Sequence, residues 1–61
     1  MTSRKHDRVT VYQSKDGDWR WRRRAANGET VSDSSEGYEE QNYALTMAAE
    51  LNPGITVEVE S

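Results

Sequence analysis

The chain has no cysteine and no phenylalanine, a single histidine and a single proline, and no lysine or arginine anywhere after Arg24. Without cysteine there is neither a disulfide nor a thiolate site. His6, inside a polar N-terminal stretch, cannot build a zinc cluster alone and reads as a solvated side chain. No run approaches the ~20 apolar residues that a membrane-crossing helix needs. The residues Met1–Asp7 carry charge with no apolar stretch behind them, so neither a secretory leader nor a membrane partner is expected and a cytoplasmic location is the default. Residues 1–7 are therefore set apart as a flexible polar tail, and residues 8–61 as a single domain.

What remains for a core is modest. Thirteen larger apolar or aromatic side chains run from Val9 to Val59, with Trp19 as a fourteenth at the rim, in a chain of 61 residues. A domain this small hides only about 60% of its unfolded surface. Small scaffolds are usually stapled by disulfides, a metal or a partner subunit. The first two are excluded, which leaves oligomerisation.

Charge is divided along the chain. Residues 1–24 hold all eight basic residues against Asp7, Asp16 and Asp18, whereas residues 25–61 hold eight acidic residues and no basic one. Such a split fits either a nucleic-acid surface with an acidic counterpart or two halves that neutralise each other in the fold.

Arg8–Gln13 alternates Val9 and Val11 against Thr10 and Tyr12, the period of a half-buried strand. Asp16-Gly17 supplies a tight turn, and residues 18–25 alternate again through Trp19 and Trp21. Asn27-Gly28 is a second turn before a short strand over residues 29–32. From about Glu39 to Leu51 the spacing turns helical, with Tyr43, Ala44, Met47, Ala48 and Leu51 on one stripe and Leu45 away from it. Glu39 and Glu40 are placed in the first turn, and Asn52-Pro53-Gly54 stops the helix. Ile55, Val57 and Val59 then alternate on a last strand. The expected fold class is α+β: a β-β-β-α-β unit, its antiparallel sheet covered by one helix on one face.

The first hairpin predicts Gln13 opposite Trp19, Val11 opposite Trp21 and Val9 opposite Arg23. Val9, Val11 and Trp21 then face the helix, while Arg8, Thr10, Tyr12, Arg20, Arg22 and Arg24 share the other face. A slip of one residue would bury the arginines.

Val11-Tyr12, Lys15-Asp16-Gly17, Trp19-Arg20-Trp21-Arg22, Ala25-Ala26-Asn27-Gly28-Glu29 and Ser35-Glu36-Gly37-Tyr38 resemble the YegP-like family, domain of unknown function 1508. The resemblance covers roughly residues 9–51. It implies β-β-β-α-β units that occur in pairs, joined into one continuous sheet with exchanged C-terminal strands. A chain with one such unit would take its second from a homodimer. The chain departs from the family in having Arg23 where a leucine is usual, Glu39-Glu40 where serine starts the helix, and Met47-Ala48 where Gly-Ile is frequent. The family carries no established activity, so the resemblance transfers no catalytic residues.

Two surfaces stand out as candidate sites. Arg8, Tyr12, Arg20, Arg22 and Arg24 compose either a phosphate-tracking nucleic-acid face or a face neutralised by Glu58, Glu60 or Glu29 across the sheet. Trp19, Leu45, Ile55, Val57 and Val59 are candidate dimer contacts. Trp21 reads as core, and Tyr38 as an anchor at the helix start. No carboxylate pair has a nucleophile or second histidine in a readable motif, and ~60 residues seldom enclose a pocket. No enzyme, cofactor, metal or small-molecule ligand is expected. The expected function is a small homodimeric structural or interaction module of unknown target, with weak nucleic-acid binding as the alternative.

Overall fold

The computed structural model describes residues 7–60; residues 1–6 of the expected tail, His6 among them, lie outside the described residues. Strand β1 (Arg8–Gln13) turns into β2 (Trp19–Arg24), β3 (Thr30–Asp33) follows, and helix α1 (Gln41–Leu51) leads to β4 (Val57–Val59). The strands form one sheet in the order β3-β2-β1-β4. Helix α1 packs against β1, β2 and β4.

The first hairpin has the expected register, with Gln13 opposite Trp19, Val11 opposite Trp21 and Val9 opposite Arg23. Two features fix it. Alternation puts Val9, Val11 and Trp21 under the helix, where all three are buried. Gly17, at φ 93°, lets the chain reverse while its N–H donates to the Ser14 carbonyl at 2.9 Å.

The fourth strand corrects the expected antiparallel sheet. β4 runs parallel to β1, pairing Val57 with Val9, Glu58 with Thr10 and Val59 with Val11. The reason is directional. β3 is two antiparallel steps from β1 and so points the same way. The helix then carries the chain back, and β4 leaves it pointing as β3 did, the usual way in which a helical crossover yields parallel strands. The sheet is mixed, and within one chain the C-terminal strand lies on its own β1.

The core consists of Val9, Val11, Trp21, Ala44 and Ala48, with Trp19, Tyr38, Leu45, Ile55 and Val57 packed around it. The helix buries the two alanines of its expected stripe but not the stripe's Tyr43 and Leu51. Ala44 and Ala48, at 0% exposure, are the contact line, and small side chains there let the backbone approach the sheet closely. Leu45, expected off the stripe and against a partner subunit, is half-buried against the core of its own chain, whereas Tyr43 and Leu51 are 54% and 56% exposed. Trp21 carries a further cost, since its buried indole Nε1–H finds no acceptor among the described residues.

The helix begins two residues later than expected. Glu40 is the N-cap, with extended backbone (φ −119°, ψ 140°) and no capping side-chain bond, so Glu39 and Glu40 precede the first turn. The other end is better closed. Asn52, 3% exposed, donates from Nδ2 to the Ala48 carbonyl at 2.8 Å and from its backbone N–H to the same oxygen at 3.1 Å. Its Oδ1 accepts from Arg23 Nη1 at 3.2 Å, and Arg23 Nε donates to Asp7 Oδ2 at 2.9 Å. This chain of contacts explains how an arginine is tolerated on the covered face. Its charge is matched by Asp7, and a second donor, Nη1, ties β2 to the end of the helix.

Between β3 and α1, Tyr38 pairs with Trp19 through two backbone bonds, 2.7 and 2.8 Å long. Gly37 makes this approach possible. A Cβ on Gly37 would stand 2.6 Å from the Asp18 Cβ, which no rotamer change relieves. Gly37→Ala is expected to cost about 1–3 kcal/mol, read as a lower urea midpoint at unchanged m-value.

Candidate functional site

The sheet face opposite α1 is covered by no element among the described residues. Alternation places Arg8, Thr10 and Tyr12 of β1 there beside Arg20, Arg22 and Arg24 of β2, in the register pairs Arg8 with Arg24, Thr10 with Arg22, and Tyr12 with Arg20. Glu58 joins from β4, opposite Thr10, and Asp33 from β3, opposite Arg22. The five residues expected to form a basic face are therefore brought together on one surface.

Their charges are only partly matched. Arg8 Nη1 lies 4.0 Å from Glu58 Oε1, with side chains 77% and 55% exposed, and a pair so wet contributes little. Arg20 lies 3.9 Å from Asp16 in the first turn. The Asp16 carboxyl is held below the usual carboxylate range, chiefly by the Ser14 hydroxyl, then by the Asp18 backbone N–H, with Arg20 adding attraction. The ionised form is the one favoured, so this turn loses support as pH falls through the lowered pKa. The Arg22 guanidinium sits 4.5 Å above the Tyr12 ring, a cation–π contact that keeps it flat on the sheet. Among the described residues neither Arg22 nor Arg24 forms an ion pair.

At one end of this face is an open concavity of about 480 Å³, lined by Arg8, Thr10, Arg24, Ala25, Ala26, Gly28 and Glu58. Its wall is the turn after β2, where Gly28 at φ 90° donates to the Ala25 carbonyl and Ala25 N–H donates to the Glu29 carbonyl. Sequence reasoning missed it. The Asn-Gly turn was legible, but the register shift between Arg23 and Arg24 that shapes the concavity was not.

The candidate dimer contacts are distributed differently. Trp19, Leu45, Ile55 and Val57 are half-buried against the core of their own chain, and Val59 is 40% exposed at the sheet edge. Val31, Tyr43 and Leu51, which were not singled out as contacts, are each more than half exposed. Tyr38 is an anchor at the helix start. Its ring packs on the core and meets Tyr43 edge-on, with centroids 5.0 Å apart.

No group of three or more metal-ligating side chains occurs among the described residues. No helix there is long and apolar enough to cross a membrane.

A four-stranded mixed sheet with one helix and an arginine-bearing open face defines a small α+β domain. Residues 14–47, more than half of the chain, match the family described as a domain of unknown function, DUF1508. The chain belongs to that family, the one its turn and strand motifs resemble. No curated protein and no solved structure matches it.

Proposed function

We propose that the domain is a homodimeric interaction module without catalytic chemistry of its own. The observation that carries this reading is the mismatch between core and surface. Among the described residues only Val9 and Val11 are large side chains buried without remainder, while Val31, Tyr43 and Leu51 are each more than half in water. A second copy would cover part of that apolar surface and supply the staple that a chain without disulfide or metal lacks. Resemblance to the family adds exchange of C-terminal strands. The pairing of Val57 and Val59 with Val9 and Val11 is equally available between two copies if the segment around Pro53-Gly54 opens. Gly54, at φ 81°, stands at this hinge. Exchange would also carry Glu58 and Glu60 to the neighbour's arginines. In the test, Leu51→Glu combined with Val59→Lys should convert a sedimenting dimer to monomer and lower the Tm. A dimer fraction unchanged by this double substitution would refute the assigned contacts.

A second reading is favoured by one observation: among the described residues Arg22 and Arg24 form no ion pair, and Arg22 is stacked on Tyr12. Such a face suits weak binding of single-stranded nucleic acid. Replacing Arg20, Arg22 and Arg24 with Glu should remove oligonucleotide binding at low salt without unfolding the domain. The absence of binding by the unmodified protein at low salt would end this reading.

A further inference from the structure

We infer that the concavity between Arg8, Arg24 and the β2–β3 turn is a binding site for a small phosphorylated ligand, its phosphate dianion held by the two arginines. Arg8 and Arg24 stand directly opposite each other across β1 and β2. Like charges in this position repel and destabilise a sheet, so the pair needs a counter-charge. The lining holds one carboxylate, Glu58, at 4.0 Å from Arg8, beyond the reach of a hydrogen bond. The concavity is therefore lined by two arginines, with its one carboxylate on the far side of β1 from Arg24. Planar, permanently charged donors of this kind match phosphate oxygens in bidentate fashion.

The backbone around the pair is irregular in a way that serves the same end. The β2–β3 register shifts between Arg23 and Arg24, so that Arg23 pairs with Ser32 but Arg24 with Thr30, and Val31 is the extra residue. Bulges of this type re-aim a neighbouring side chain. Here the shift falls at the residue that lines the concavity. Residues of the turn line the concavity beside it, and Thr10 adds a hydroxyl-bearing side chain, a neutral donor or acceptor, to the lining. A volume of about 480 Å³ falls within the range of small-molecule sites and exceeds what a bare phosphate fills. It leaves room for a sugar- or nucleoside-sized remainder. Arg8, Thr10, Arg24 and the turn belong to one chain, so the arginine pair stands whether Glu58 comes from the same chain or, on strand exchange, from the partner.

The test is a titration of the isotope-labelled full chain, followed by backbone and arginine side-chain NMR, with inorganic phosphate, adenosine 5′-monophosphate and adenosine as probes. Both phosphates should give saturating shifts confined to Arg8, Thr10 and the stretch from Arg24 to Gly28, and the nucleotide should saturate first. Adenosine should give none. Arg24→Gln and Arg8→Gln, on exposed positions, should each weaken binding about tenfold or more, the loss of a charged hydrogen-bonding partner. Glu58→Gln should tighten it, since a competing carboxylate is removed. Shifts that chloride reproduces, or that fail to saturate, would overturn the site, as would unchanged affinity in Arg24→Gln. An oligonucleotide without terminal phosphate separates the other reading: shifts spread over Tyr12, Arg20 and Arg22, with no response to phosphate monoesters, would reject the concavity while leaving the nucleic-acid face standing.

Discussion

Deletion of residues 55–61 is expected to unfold the domain rather than weaken it. β4 is only three residues long, but it covers one side of β1, and Val9 and Val11 of β1 are, among the described residues, the only large side chains buried without remainder. Ile55 and Val57 are half-buried on the same core. Full burial of one such side chain stabilises by about 1.5–3 kcal/mol, so the two together contribute about 1.5–3 kcal/mol at half burial. The Glu60 N–H bond to the Val11 carbonyl, 2.8 Å long, is lost as well. At roughly 0.05–0.15 kcal/mol per residue a 61-residue domain holds only about 3–9 kcal/mol in all, of which this loss is a large share. The measurement is far-UV circular dichroism of the truncated chain, where a flat thermal scan is expected. A cooperative transition within a few degrees of the intact chain would show that β4 is dispensable.

The second large effect belongs to the polar chain under the helix end. Asp7→Ala leaves Arg23, whose side chain is 12% exposed, without its carboxylate, and should destabilise by about 2–4 kcal/mol, as expected for breaking a largely buried pair. Arg23→Leu alone strands Asp7, 9% exposed, and also removes the donor to Asn52. The double variant should recover about half of the summed single losses, because an apolar replacement for both partners removes the desolvation cost with the attraction. Urea unfolding of the four proteins provides the cycle. Strictly additive losses would mean that Asp7 and Arg23 are not coupled.

How much of this was legible in the sequence depended on the kind of information each element carries. The hairpin register was legible because alternation and an Asp-Gly turn specify it together. The direction of β4 was not, because Ile55, Val57 and Val59 show which face is apolar and say nothing of which way the strand runs. The helix setting was half legible. The expected stripe held Ala44 and Ala48, which are buried, together with Tyr43 and Leu51, which are not. Apolar residues flank the alanines on both sides, and spacing alone does not say that Leu45 turns inward in their place.

The site was half legible. Alternation put five candidate residues on one face, but the partner of Arg23 is 16 residues away and its second contact 29 away, distances that no local pattern spans. The concavity was invisible for a different reason, since it depends on a one-residue register shift in a strand whose four residues are all exposed.

Sedimentation of the unmodified chain, run with thermal melts over about a hundredfold range of concentration, tests the homodimer most directly. A dimer should predominate at the upper end, and the Tm should rise with protein concentration as linkage requires. A folded monomer at every concentration, melting at one constant temperature, would contradict the proposal.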